Sequence, residues 1–531
     1  MNKYSISYKT CTPPLTPRVL LLIFFLLFHS SRPTPSIPNF PLNSTPLDPV
    51  KTGFSITGNA VGDYFGFIMS AAGDIDNDGY NDIIIGAYEK NGGRGMAYVI
   101  YGATNNQFSN LDLSSMTLDP ATTGFTIKGG VANDKLGRMV QIVKDINNDG
   151  YDDLIIGAPW RSSVRGIIYV IYGGPRSSFS NIDFATATLD PATTGFYILG
   201  NAANDYFGGA ICSAGDVNND GYQDIIIGAL RKGGTIGAGY VVYGGPKSSF
   251  SNIDMGTTPL NPTTTGFSIM GEAVGDSLGW SVSTLGDINK DGYDDIIIGA
   301  AWKNGYQGAA YVIYGGEKSD LPDRDLGLQP LDPATTGFKI TGSAANDYFA
   351  YSVGGVGDLN NDGYDDIIVG APYKNNNQGI AYIIYGREKS SFQNFDFSVP
   401  TTVLDPMTTG FTIVGNAIGD FFGWWVTRAG DVNGDGFQDI IIGSYGKNNN
   451  QGAAYVIYGG IRSSLPNRDL SMEPLDPTWG FMITGDSGDE RLGRSVGRAG
   501  DINKDGYDDI IVSAHGRNGY QGRVYIIHAG I

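Results

Sequence analysis

Seven copies of one carboxylate-rich nonapeptide hold most of the chemical potential of this chain. In the first copy Asp74, Asp76, Asp78 and Asp82 occupy positions 1, 3, 5 and 9, with Gly79 at position 6 and Tyr80 at position 7. The second and third copies offer Asp145, Asn147, Asp149, Tyr151 and Asp153, then Asp216, Asn218, Asp220, Tyr222 and Asp224. The fourth and fifth offer Asp287, Asn289, Asp291, Tyr293 and Asp295, then Asp358, Asn360, Asp362, Tyr364 and Asp366. The last two offer Asp431, Asn433, Asp435, Phe437 and Asp439, then Asp501, Asn503, Asp505, Tyr507 and Asp509. Short oxygen-bearing side chains at alternating positions can point into one turn, and the invariant glycine gives the backbone freedom for a sharp reversal. Calcium takes six to eight oxygens at roughly 2.3–2.6 Å, and these side chains with the carbonyl of position 7 supply five or more. Without a cation the carboxylates repel one another. Up to seven calcium ions are therefore expected. Magnesium fits less well because it demands stricter octahedral geometry, and the metal-free alternative is an Asx-type turn.

An EF-hand is excluded because its bidentate glutamate at position 12 is replaced here by Ile85 and by apolar residues in the other copies. Each loop runs directly into a β-branched stretch such as residues 82–86 or 153–157, which predicts a buried strand. The loops join strands rather than helices.

The repeat extends well beyond the loop. Each unit of about 70 residues opens with Leu-Asp-Pro (Leu47, Asp48, Pro49) and a Gly-Phe strand at Gly53–Ile56. It continues through Tyr64–Ile68, the acidic loop, the strand 83–85, a loop containing Lys90 and the strand 96–101. Four short strands per unit, separated by turns and lacking helical spacing, predict an all-β, seven-bladed β-propeller over residues 47–531. The seventh unit ends after residues 523–527 without an outer strand of its own, so residues 54–56 are predicted to fill that place and close the ring.

Two further segments precede the propeller. Lys3, Lys9 and Arg18 followed by the apolar residues 19–28 read as a secretory signal over residues 1–30, and ten apolar residues are too few to span a bilayer. Residues 31–46 are rich in Pro and Ser and read as a flexible or extended leader with one glycosylation sequon at Asn43. After signal removal Cys212 stands alone, so calcium and ring closure must do the stapling. The formal charge of −19 argues against nucleic acid, and seven divalent ions would reduce it to about −5. The expectation is a secreted, soluble chain without a membrane span.

Phe65-Gly66, followed by Gly157-Ala158-Pro159 and Gly370-Ala371-Pro372 in later units, resembles the FG-GAP repeat of integrin α-subunit heads and related secreted propellers. The resemblance implies a calcium-binding propeller acting in adhesion or ligand recognition, with a protein or glycan ligand on the face opposite the calcium loops. Integrin α-subunits continue into leg domains and a membrane span that this sequence does not show, which favours a recognition module over a heterodimeric receptor. Related propellers also occur in secreted phospholipases, so an enzyme accessory is one alternative and a structural coat component another.

An up-and-down meander sends a second constellation to the face opposite the acidic loops. Lys90, Arg161, Lys232, Lys303, Lys374, Lys447 and Arg517 recur once per unit, as do Asp63, Asp134, Asp205, Asp276, Asp347, Asp420 and Glu490. These fourteen residues predict a ring of exposed ion pairs or a polar rim around a ligand, with Tyr64, Tyr206, Tyr348 and Phe421 near the axis. The glycines Gly66, Gly137, Gly208, Gly279, Gly423 and Gly493 are predicted where the inner strands converge. No residue earns a catalytic assignment: His515 and His528 read as surface or strand residues, and there is no nucleophile elbow, Cys-His pair or phosphate loop in a credible context.

Overall fold

A computed structural model describes residues 39–42, 47–103 and 109–530. The secretory segment and Asn43 lie outside these residues. The first blade shows the plan of all seven. Strands β3 (Phe65–Gly73), β4 (Asp82–Ala87) and β5 (Met96–Ile100) form an antiparallel meander, and β7 (Gly124–Lys128) from the next sequence unit pairs antiparallel with β5. The Gly-Phe strand that opens each unit thus serves as the outer strand of the preceding blade.

The isoleucine run of β4 is buried along its whole length because both of its faces meet a neighbouring blade. Ile84 joins Val140 and Ile142 of the second blade, whereas Ile83 and Ile85 join Ile511, Val524 and Ile526 of the seventh. The two-residue period of a strand sends alternate side chains to the two interfaces, so the run carries no polar alternation. The seam between blades is closest at the repeated glycines. A Cβ placed on Gly86 would lie 2.0 Å from the carbonyl oxygen of Gly137, which itself has φ +80°. Both glycines are required, one for space and the other for its left-handed backbone.

The ring closes between the chain ends. Strand β2 (Gly53–Thr57) pairs antiparallel with Arg523–Ile527, Phe54 opposite Ile526, as the outer strand of the seventh blade.

Each sheet also has a fifth strand, two residues long and parallel to the outer one, which no periodicity in the sequence announces. Ile182–Asp183 adds to β7 in the first blade, and β6 (Leu111–Asp112) adds to β2 in the seventh. The sixth blade takes β1 (Phe40–Pro41), which pairs with Gly480–Thr484 and lies within the stretch expected to be a leader. Beside each fifth strand an Asn or Asp carboxamide or carboxylate oxygen accepts a backbone N–H of the outer strand: Asn110 from Ser55, Asn181 from Thr126, Asn394 from Lys339 and Asn39 from Met482, among others, at 2.7–3.1 Å. These clamps occupy hydrogen-bonding groups that an open sheet edge would offer to another chain. The N-terminal segment therefore closes two blades, Phe40–Pro41 in the sixth and Gly53–Thr57 in the seventh.

Phe54 is 1% exposed in the closing blade. Phe54→Ala is expected to cost about 3–5 kcal/mol in urea unfolding. A change below about 1 kcal/mol would show that the closing strand is not part of the cooperative unit.

Candidate metal centres and the opposite face

Every acidic loop lies between the first and second strands of its blade, so all seven share one face of the ring. Their internal geometry is nearly the same throughout. In the first loop Asp74 Oδ1 and Oδ2 accept the N–H groups of Asp78 and Gly79 at 3.1 and 2.7 Å, and Asp78 Oδ1 accepts that of Tyr80 at 2.9 Å. Gly79 has φ +86° at the reversal. One oxygen each from Asp74, Asp76 and Asp78 lies within 4.8 Å of the others, close enough to share a cation.

Asp82 stands apart from that group and is completely buried. Its carboxylate accepts the N–H of Ile75 at 2.8 Å and that of Gly102, after β5, at 2.7 Å. Asp153, Asp224, Asp295, Asp366, Asp439 and Asp509 repeat both bonds in their blades. The ninth position thereby ties the loop to the end of the third strand. At the third position Asn147, Asn218, Asn289 and Asn360 are buried with carbonyl oxygens that have no hydrogen-bond partner. A buried acceptor left unpaired costs about 1–3 kcal/mol, so four loops each hold an oxygen that a cation would satisfy. The donors are all oxygen, which suits calcium.

Neighbouring loops are wired together. The carboxylates of Asp152, Asp294, Asp365 and Asp508, at position 8 of one loop, accept the N–H of Asp74, Asp216, Asp287 and Asp431 in the preceding one, at 2.8–3.1 Å. Sequence reasoning missed a further set of contacts. Arg176, Lys247, Lys318, Lys389 and Arg462, each at the start of a short 3-10 turn, reach back to Asp78, Asp149, Asp220, Asp291 and Asp362 of the preceding blade. Arg176 also pairs with Asp76. The signal was present as a basic residue followed by serine at every such turn. In the sixth and seventh blades Asp435 and Asp505 are instead met by the amides of Asn433 and Asn503 at 2.8 and 2.9 Å.

On the opposite face each predicted acid meets its predicted base within one blade. Lys90–Asp63 is 2.7 Å, Arg161–Asp134 2.5 Å, Lys232–Asp205 3.2 Å, Lys303–Asp276 2.5 Å, Lys374–Asp347 3.0 Å and Lys447–Asp420 3.5 Å, and Arg517 pairs with Glu490. The expectation of exposed pairs is corrected, because the acids are buried: Asp276 and Lys303 are both 5% exposed. Their carboxylates also accept local backbone N–H groups, as Asp134 does from Val131 and Asp205 from Ala202. The ring holds the two loops of each blade in register. The basic partner opens a turn of left-handed backbone, illustrated by Asn375, Asn376 and Asn377 at φ 54°, 55° and 68°, which explains its Asn and Gly content.

Tyr64, Tyr348 and Phe421 stack on Tyr520, Tyr306 and Tyr445, with centroids 4.5–5.1 Å apart, and Tyr206 meets Trp160 edge to face at 4.8 Å. The two histidines are buried rather than on the surface, with His515 at 3% exposure and His528 at 1%. Burial lowers both, His528 to about 4, so they are neutral near pH 7. Cys212 is a free thiol facing Ser283 at 3.9 Å, and burial pushes its pKa up.

Burial raises the pKa of Asp153 and Asp509 to about 8, and puts Asp82, Asp224, Asp295, Asp366 and Asp439 well above the ordinary carboxylate value. Backbone hydrogen bonds oppose the shift and nearby carboxylates add to it. The ion-free folded state thus binds more protons than the unfolded chain. Stability from this source is full below about pH 4 and is lost as pH rises through about 8. Chelated protein is expected to melt at falling temperature between pH 5 and 8, and calcium added at pH 7 is expected to release protons measurable in weakly buffered solution. Calcium uptake without proton release would contradict this electrostatic account. Lys303→Met should destabilise by about 3 kcal/mol by leaving Asp276 buried and unpaired, with calcium content unchanged. A neutral effect in urea unfolding would return the ring to the status of surface pairs.

Residues 65–100, 140–171, 207–242, 278–313, 349–384, 422–457 and 493–527 match the FG-GAP repeat. Integrin alpha pat-2 of Caenorhabditis elegans is 30% identical over 249 residues, 45% of this chain and 18% of that protein. Integrin alpha-V of Gallus gallus is 28% identical over 251 residues, 46% of this chain and 21% of that protein. Phosphatidylinositol-glycan-specific phospholipase D of Mus musculus is 25% identical over 403 residues, 72% of this chain and 44% of that protein. The matches thus span about a fifth of the integrin subunits and under half of the phospholipase. The spacing, the seven sheets and the matched repeats agree: the chain is an FG-GAP repeat protein whose seven-bladed β-propeller is of the integrin-α-head type.

Proposed function

We propose that this protein is a secreted, calcium-stabilised recognition module that presents the face opposite its metal loops to an extracellular protein or glycan. The observation that carries the reading is the set of four buried, unpartnered asparagine oxygens within loops already crowded with carboxylates. Such loops suit the millimolar calcium outside cells, where sites of modest affinity fill. Up to seven ions would be held, one per loop, by side chains at positions 1, 3, 5 and 9 and the carbonyl of position 7. The bound ions would offset carboxylate repulsion and fix the blade edges.

The loop face is committed to this structural work, which leaves the other face for ligand. There Val61, Val131, Val274 and Ile418 stand 52–71% exposed at the loop tips around the ring of ion pairs. No helix among the described residues is long and apolar enough to cross a membrane. A second reading, an accessory propeller of a larger enzyme, draws on the 403-residue similarity to the phospholipase. The repetition of each polar constellation in every blade favours recognition over catalysis.

Expressed in a secreting eukaryotic cell, the full chain should appear in the medium with its N-terminus near residue 31. Immobilised extracellular-matrix fractions should retain it in calcium and release it in chelator. Val61→Asp, Val274→Asp and Ile418→Asp should weaken that retention about tenfold or more, whereas Ile461→Asp on the loop face should leave it unchanged. Intracellular retention of a folded chain, or sensitivity confined to Ile461, would refute the proposal.

A further inference from the structure

A cavity of about 640 Å³ runs along the axis, lined by the inner strands of all seven blades. The residues that follow the inner-strand glycine, or Ala350 in the fifth blade, are Phe67, Arg138, Gly209, Trp280, Tyr351, Trp424 and Arg494. Arg138, Gly209, Trp280, Tyr351 and Arg494 line the end of the cavity opposite the acidic loops, with Phe67 and Trp424 buried against the arginines. This ring is not seven-fold in chemistry, in contrast to the position-9 carboxylates and the ion-pair ring, which recur in every blade. Arg138 and Arg494 flank Phe67, their guanidinium carbons 4.4 and 4.3 Å from its ring centroid, and Arg494 also lies 4.9 Å from Trp424. Across the ring, Trp280 meets Trp302 at 5.4 Å and Tyr351 at 5.2 Å. The place of a side chain at Gly209 is taken by the Tyr206 ring, 2.4 Å from where its Cβ would sit, and Arg231 stacks 5.2 Å from Tyr206.

A chain with formal charge −19 thus concentrates cations in its channel. Lys144 and Arg498 have partners there, in Asp152 at 2.8 Å and Asp508 at 2.7 Å. Among the described residues Arg138, Arg231 and Arg494 form no ion pair within 4.0 Å, although salt bridges are plentiful elsewhere. Burial lowers Arg494 to about 10, which leaves it charged at neutral pH. Stacking covers the face of a guanidinium and leaves edge N–H groups for a carboxylate, one Nη of Arg138 being turned to Met139 Sδ at 3.6 Å. The indole N–H of Trp424, buried against Arg494, also lacks a partner.

Basic edges on one side and flat aromatic faces on the other suit a ligand that joins a carboxylate to rings with apolar faces. The serine and threonine hydroxyls of Ser281, Ser283 and Thr427 farther along the channel add groups for hydroxyl recognition. We propose that the channel mouth binds an acidic saccharide, a uronate-bearing oligosaccharide whose carboxylate meets Arg138, Arg494 and Arg231 and whose ring packs on Trp280. The inference rests on the proposed recognition function and gives it a ligand class. A cavity of this size accommodates one to three sugar rings.

The test is a titration of the calcium-loaded full chain with trigalacturonate, monitored by tryptophan fluorescence and calorimetry. Uncharged galactotriose and hexaglutamate serve as comparison ligands. Saturable trigalacturonate binding below about 1 mM is expected, at least tenfold weaker in Arg138→Gln and Arg494→Gln, with calcium content and melting temperature unchanged. Arg231→Gln, at an exposed position, should weaken binding about threefold or more and serves as the readout if the buried-site variants do not fold. Equal binding of galactotriose would overturn the arginine role, and equal binding of hexaglutamate would overturn the saccharide class. If trigalacturonate does not bind but matrix retention persists and resists all three arginine substitutions, the channel assignment falls and the recognition function stands. Loss of both trigalacturonate binding and matrix retention by the wild-type chain would remove both.

Discussion

A carboxylate with no solvent exposure, repeated once in each blade, is the interaction on which the architecture turns. Asp82 and its six counterparts gather the start of the acidic loop and the end of the third strand onto one side chain through two backbone N–H groups. Their hydrogen bonds favour the charged form, whereas burial and neighbouring carboxylates favour the neutral one, and burial dominates. A divalent cation beside the cluster reverses that balance. The same ion would satisfy the unpaired oxygens of Asn147, Asn218, Asn289 and Asn360. Electrostatics at the loops, strand order and the separation of the two faces are therefore parts of one arrangement.

Neighbouring blades communicate through backbone as much as through side-chain packing. The reciprocal bonds between Asp74 and Asp152 connect one loop to the next, since each accepts the other's backbone N–H through its carboxylate or carbonyl oxygen. The 3-10 turns that carry Arg176 or Lys247 dock their cations on the loop before. These basic partners already neutralise part of the acidity in the first five blades, and the last two use asparagine amides instead. The loops are similar in candidate ligands but not in surroundings, so the calcium affinities proposed for the two groups need not be equal.

Much of this was legible because repetition separates signal from accident. One D-x-N-x-D-G turn says little, but seven at nearly constant spacing place a strand after each loop and a closing strand at Phe54. The acid and base of the ion-pair ring were legible as offsets from the loop, yet their burial was not. Whether Lys303 is shielded depends on how the preceding loop folds over it. The fifth strands escape a sequence reading because two residues carry no periodicity, and Asn110 gains meaning only against Ser55, 55 residues before it on the outer strand. Phe40–Pro41 therefore falls with the leader by composition, although it stands 14 residues before Phe54, the same interval as Leu111 before Phe125. The channel mouth was hidden for the opposite reason. Its residues differ from blade to blade, so the repeat that exposed the acidic loops and the ion-pair ring obscured them, and only the closed ring brings Arg138 and Arg494 to either side of Phe67.

The most direct test of the account is thermal unfolding of the full chain in calcium and in chelator, with bound metal counted by mass spectrometry on the same sample. Close to seven calcium ions per chain and a melting temperature that falls by roughly 10 °C or more on their removal are predicted, as mass action on several sites requires. A chain that carries little calcium and melts at the same temperature in both conditions would contradict it, and would make the loops metal-free Asx turns within an otherwise unchanged propeller.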